Sequence, residues 1–296
     1  MTSAMSWGRL ARVILLAGLG LGADQGVPVH GQTLDLPARS LDALAGSSIM
    51  DAVRDLELQE REDRIVREVL AGNVPEWLRD FAEIEIVRGT RRVRFSVLPD
   101  YLMIGSDADH VRIPLSPQAA QRIADGTQTS LPTVPMVDAI WRAATVQLTP
   151  DPIPPSAAMT TVEVFEDHDR AVRSARRDRA GPTGSLVAGH KKDVVLSARL
   201  DTLAGRVAIY GWHEPDGVPI QPLYTGHLDS WVDYSHGIRL VHRAVWIDDV
   251  QHDLRDVLTD PDLAALLNDD GTLVRSGYSA RGGEPPRGSP GVSPPA

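Results

Sequence analysis

Apolar residues recur at near-helical spacing from Ile49 through Val53, Leu56, Ile65, Val66 and Val69 to Leu70, with charged residues between them and Gly72 as a stop. This pattern predicts one helix over 49–70. A short helix is expected at 75–81, with Pro75 in its first turn. The period then changes to two. Ile84 and Ile86, a Gly89-Thr90 turn, and Val93, Phe95 and Val97 predict a hairpin, and 101–105 and 111–115 read as two further strands. Ser116-Pro117 has the form of a capped helix start, with the helix running to Asp125, and a second helix follows Thr133 and Pro135. Four prolines make 148–155 stiff and extended. Beyond Gly181 the chain becomes strand-like at 193–200, 206–213 and 231–247, and Asp260-Pro261 opens a short helix through Leu267. Together these elements predict an α+β fold with helices mainly in the N-terminal half and an antiparallel-rich sheet from the C-terminal half.

The ends of the chain differ from its body. Arg9 and Arg12 precede an apolar run over 13–23, which predicts a signal peptide over 1–31 with cleavage near Gly31. That run is well short of the roughly 20 residues a spanning helix needs, so no membrane span is expected after cleavage. Residues 32–48 read as a linker and 49–277 as a mixed α/β domain, either single or with a lobe boundary at 148–157. Residues 278–296, rich in Gly, Pro, Ser and Arg, read as a disordered tail. Export to the periplasm or the exterior is the expected destination.

Composition narrows the chemistry. There is no cysteine, which excludes disulfides, thiolate metal sites and a cysteine nucleophile. A formal net charge of -10 disfavours nucleic acid and anionic membranes as partners, and sets aside a DNA-reading role for the two helices that follow Ser116. Among 30 Lys and Arg residues the only lysines are Lys191 and Lys192, side by side, where a compact ammonium rather than a planar fork suits the local chemistry.

Five of nine histidines fall between His190 and His242, most beside a glycine: Gly189-His190, Gly211-Trp212-His213, Gly226-His227 and His236-Gly237. Glycine permits the close backbone approach from which strand ends build ligand-facing corners. Read as one strand, 231–247 places His236 and His242 on an apolar face, and His213 shares a side with Val207 and Ile209. Three readings follow. In the first, His190 or His236 is a general acid or base, Asp193 or Asp233 holds its tautomer, and Lys191 or Arg239 stabilises developing negative charge. In the second, two or three histidines with Asp193 or Asp229 bind a divalent ion such as zinc, although no familiar ligand spacing is present. In the third, Trp212, Tyr224, Trp231 and Tyr234 line a ligand pocket without catalysis. A Gly-x-Ser-x-Gly elbow, a phosphate loop and a dinucleotide fingerprint are all missing.

Tyr234-Ser235-His236-Gly237-Ile238-Arg239-Leu240 resembles the Ser-His-Gly-Cys-Ile-Arg signature of L,D-transpeptidases, with the nucleophilic cysteine absent, so that activity does not carry over. GHKKDVVL at 189–196, RVAIYGWH at 206–213 and WVDYSHGIRLV at 231–241 are similar to a group of exported bacterial proteins of unassigned function. That resemblance extends over roughly 80–270; it implies one integrated domain and no particular activity. The expected function is a hydrolase-like enzyme acting on a cell-envelope or environmental polymer, with His190, Lys191, Asp193, His213, His227, Asp233, His236 and Arg239 around a cleft. The alternative is a noncatalytic carbohydrate- or peptidoglycan-binding protein using the same surface.

Overall fold

The computed structural model describes residues 31–179 and 181–279; the signal segment and the tail expected from the sequence lie, but for Gly31, Tyr278 and Ser279, outside them. Helices α1 (Gly46–Val53) and α2 (Leu58–Leu70) replace the single helix expected over 49–70. Helix geometry supplies the reason. Residues 49 and 65 lie about 160° apart around a continuous helix axis, so an unbroken helix would point Ile49 and Ile65 to different sides. The interruption at 54–57 turns both apolar stripes, Ile49, Met50 and Val53 in α1 and Ile65, Val66 and Val69 in α2, into the same core. Before α1, the expected linker is packed: Leu34 is buried, its N–H donates to the Arg79 carbonyl, and Thr33 bridges Asp80. The helix expected at 75–81 is a single 3-10 turn, Glu76–Leu78.

The alternating residues form β1 (Ala82–Arg88) and β2 (Arg91–Val97), an antiparallel hairpin whose inward side carries Ile84, Val93, Phe95 and Val97. A small antiparallel pair follows, β3 (Met103–Gly105) and β4 (His110–Arg112). The Ser116 hydroxyl accepts the Ala119 N–H at the start of α3 (Pro117–Gly126), and its own N–H and hydroxyl both donate to buried Glu62 of α2. Then come β5 (Thr129–Ser130), α4 (Val134–Ala143) and β6 (Val146–Gln147). The proline stretch forms neither helix nor strand, and the Ile153 N–H donates to the Tyr234 hydroxyl across from it. Helix α5 (Val162–Asp178) has no counterpart in the sequence reading. Its inward face joins Val162, Phe165 and Val172 to His168 and Asp169, and the two polar residues break the apolar stripe that would have revealed it.

The C-terminal part is built from β7 (Val187–Ala188), β8 (Lys192–Val194), β9 (Ile209–His213), β10 (Pro219–Tyr224), β11 (His236–Gly237), β12 (Val241–His242), β13 (Ala244–Ile247), β14 (Val250–Asp253) and α6 (Leu254–Thr259). The short helix expected after Asp260 is instead preceded by α6 and reduced to one 3-10 turn, Ala264–Leu266. Two sheets dominate. One has the order β14-β13-β2-β12-β5 with β1 also on β2; the other has the order β10-β9-β8-β11. Pairing is antiparallel except for β8 with β11 and β6 with β7. The molecule is thus mixed α+β, with helices mainly N-terminal and the sheet largely C-terminal. The expected long strand over 231–247 is broken because the chain changes sheets inside it. Ile238 and Leu240 lend their carbonyls to the N–H groups of Leu102 and Leu98, carrying the backbone from β11 in one sheet to β12 in the other. Among the described residues no helix is long and apolar enough to cross a membrane.

Candidate functional site

Strand β8 organises the site. In its register Lys192 lies beside Gly211 of β9 and His236 of β11, while Asp193 lies beside Tyr210 and Gly237. The glycine-flanked phrases at 189–193, 211–213 and 236–237, far apart in the chain, therefore become neighbours. Successive strand residues point to opposite sides, so the sheet has two chemically different faces here.

One face is closed. The Tyr101 hydroxyl donates to Asp193 Oδ2 at 2.7 Å, and the Arg239 guanidinium lies 4.1 Å above the Tyr101 ring while donating to the carbonyls of Leu98 and Val187. Gly237 is required in this stack: a Cβ there would come within 2.6 Å of the Tyr101 ring and 2.7 Å of the Lys191 Cβ. Lys191, 1% exposed, donates through Nζ to the Tyr234 carbonyl. Burial lowers the Lys191 ammonium to about 7 and raises the Asp193 carboxyl to about 6, the latter against the opposing charge of Arg239. His190 Nε2 donates to Asp100 Oδ1 at 3.1 Å. From there an ion-pair chain runs through Arg112 to Asp169 and Arg173, with contacts of 2.6, 2.9 and 3.0 Å. Burial lowers the His190 imidazole to about 4 despite Asp100; Asp100 itself, although buried, is held well below the usual carboxylate range by Arg112 and His190.

The other face approaches solvent. Lys192 places Nζ 4.7 Å from the centre of the Trp212 ring. Trp212 has φ +61°, a left-handed conformation rare for so large a side chain, and follows Gly211 at φ +117°. Its indole N–H is buried and without a partner among the described residues. His236 is 1% exposed, and neither ring nitrogen has a hydrogen-bond partner there either. Burial lowers its imidazole to about 4, against the charge of Asp233, with Lys192 and His227 adding to the lowering. Asp233 accepts from the Trp231 indole at 3.0 Å and from the Ser235 N–H and hydroxyl at 2.8 and 2.5 Å. Burial opposes its charge, yet His236 and these donors hold it at about 2. Over this group lies a half-exposed aromatic rim: His227 stacks on Trp231 at 5.4 Å and meets the edge of Tyr224 at 5.1 Å.

The eight residues expected around one cleft thus divide. Lys191, Asp193, His190 and Arg239 lie on the closed side; Lys191 and Arg239 are engaged by backbone carbonyls, so neither is the free cation expected to face a substrate. His227, Asp233 and His236 stand together with Lys192 on the open side. His213 has its own partners, Asp138 at 3.0 Å and a stacked Trp141 at 5.4 Å, and takes the place of a satisfied core histidine. His242 belongs to the other sheet, where its Nδ1 accepts the Ala244 N–H. Among the described residues no group of three or more His, Cys, Asp or Glu side chains is placed to hold a metal ion, so the zinc reading finds no ligand set here.

Sequence reasoning did not find Asp100, Tyr101, Arg112, His168 and Asp169. His168 packs its ring 4.9 Å from Tyr234, both nitrogens lack partners among the described residues, and burial with the nearby charge of Lys191 lowers it to about 2. The available signal was spacing: His168 and Asp169 continue the helical stripe begun by Val162 and Phe165. Comparison with protein-family models, with curated proteins and with solved structures found no match to this chain.

Proposed function

We propose that the chain is an exported hydrolase-like enzyme acting on a polymer of the cell envelope or its surroundings, with its chemistry at His236. The observation that carries this reading is the pairing of a neutral buried imidazole, both of whose nitrogens lack partners among the described residues, with the ionised Asp233 and the half-buried Lys192. A base that is neutral near pH 7 can take a proton from water as that water adds to a carbonyl carbon. Asp233 then stabilises the imidazolium, Lys192 supplies positive charge to the developing oxyanion, and the imidazolium returns its proton to the leaving group. Tyr224, His227 and Trp231 offer ring faces on which a sugar can stack. His236 is closed to solvent, so the reading requires the irregular segment 225–232 to part from it when substrate arrives. Export rests on Arg9, Arg12 and the apolar run that follows them.

The test is product release from peptidoglycan and acylated polysaccharides, read as new amines or carboxylates. The wild type should release product, and His236→Asn should lower the rate by about 10²–10⁴-fold without loss of thermal stability at pH 7. Lys192→Met should lower kcat more than it raises KM. A His236→Asn protein as active as the wild type ends the proposal. The half-exposed aromatic rim favours a second reading, noncatalytic saccharide binding. Retention on insoluble peptidoglycan without product release, lost in Trp231→Ala, would select it.

A further inference from the structure

A second site lies at the far end of the Asp100–Arg112 ion-pair chain, independent of the reading at His236. A cleft of about 580 Å³ opens there between the end of α5, the β3–β4 turn and the loop at 181–187. Its volume falls within the range of small-ligand sites. Five arginines line it, Arg112, Arg173, Arg176, Arg177 and Arg179, against two carboxylates, Asp100 and Asp107. That balance stands out in a chain of net charge -10.

The internal pairing of these groups shows which charges remain. Arg112 is engaged by Asp100 and Asp169, and Arg173 by Asp169 and the His110 carbonyl. Arg176 closes the end of α5 by donating to the carbonyls of Arg179, Gly181 and Pro182. Asp100 is held by Arg112 and His190, and Asp107 accepts the Glu76 N–H at 2.6 Å. Arg177 and Arg179 are left exposed, with no side-chain partner among the described residues. The helix dipole favours basic residues in a last turn. It accounts for Arg176, which meets the orphaned carbonyls; it does not account for Arg179 beyond the helix or for Arg112 arriving from β4. Trp77, whose ring meets His110 edge-to-face at 5.6 Å, lines the same cleft.

From this combination we infer that the cleft binds a small anionic sugar: a pyranose ring on Trp77, with a phosphate or carboxylate taken by the guanidinium groups of Arg177 and Arg179. Planar guanidinium forks match both oxyanions, and a ring face suits the indole. Titration calorimetry at low ionic strength with glucose 6-phosphate, glucuronate, glucose and inorganic phosphate tests it. At least one of the two anionic sugars should bind with Kd at or below about 1 mM, the tighter one identifying the anion. Arg177→Gln/Arg179→Gln should weaken binding at least tenfold, and Trp77→Ala should weaken the sugar while sparing phosphate. Both charge substitutions fall on exposed side chains, so folding is expected to be unaffected, which a melting curve checks. Binding of neither anionic sugar, equal binding of glucose, phosphate binding as tight as the sugar, or an unchanged double variant would each overturn the inference.

Discussion

At the scale of single residues, the interior is unusual for the number of ionisable side chains it holds at almost no exposure: Asp100, Arg112, His168, Asp169, His190, Lys191, Asp193, Asp233, His236 and Arg239. A buried polar group left without a partner costs about 1–3 kcal/mol, so each must be matched or tolerated. Most are matched. The Tyr101 hydroxyl on Asp193 is one such match, and Tyr101→Phe keeps the ring beneath Arg239 while removing the bond to Asp193 Oδ2. The expected loss is about 1–3 kcal/mol in urea unfolding at pH 7; a variant as stable as the wild type would mean that the hydroxyl contributes nothing there. His168 and His236 are tolerated instead, with imidazoles kept neutral and nitrogens unengaged among the described residues. Groups maintained at such a cost cluster at functional positions, which is why His236 rather than the well-paired His213 anchors the proposal.

At the scale of elements, the three-residue strand β8 does more than its length suggests, because it sits between β9 and β11 and fixes the register that brings 189–193 to 235–237. Gly237 is the tightest point of that junction. Gly237→Ala would drive a methyl into the Tyr101 ring and the Lys191 stem, both held from several sides. Overpacking of this kind costs about 1–3 kcal/mol, and the displaced Lys191 should lose its bond to the Tyr234 carbonyl. Denaturant unfolding measures the first effect and the titration of Lys191 by NMR the second; full stability in the alanine variant would show that the junction is looser than the contacts imply. The hairpin β1–β2, the presence of strands near 101–105 and 111–115 and the Ser116 cap could be read from the sequence because their determinants are local, alternation and capping; that β3 pairs with β4 came from the structure. Helix α5 could not, because two of the positions that face inward are His168 and Asp169, whose burial depends on partners elsewhere in the chain.

At the scale of the whole molecule, these buried groups link folding to pH. The histidines set the sign. His190 and His236 are lowered to about 4 and His168 to about 2, so between pH 6.5 and 4 the unfolded chain takes up protons that the folded chain refuses. Stability must then fall as pH falls through that window, on the order of 3 kcal/mol for each of His190 and His236. Asp193, raised to about 6, acts oppositely below that value but is one group against three. Asp100 and Asp233, both lowered, extend the loss below pH 4. Melting temperature followed from pH 7 to pH 4 should therefore drop steeply, and His168→Phe should flatten the curve; a pH-independent melting temperature would contradict the burial of these imidazoles as neutral bases. The same scale separates the two proposed sites. His236 is not among the residues that line the arginine-rich cleft, so the arginine variants and His236→Asn alter different sets of groups.

The sequence alone was sufficient for features whose cause lies within a few residues: the α+β character, the hairpin, the capped helix, the acidity and the absence of thiol chemistry. It also marked His190, Lys191, Asp193 and His236 as a group, because glycines beside them announce close backbone approach. Tertiary structure alone decided that all four of these are buried, which of them find partners and which do not, that Lys192 rather than Lys191 stands on the side of the aromatic rim, and that His213 has left the group for Asp138. Burial and pairing depend on what the rest of the chain lays over a residue. No local pattern of residue types encodes that.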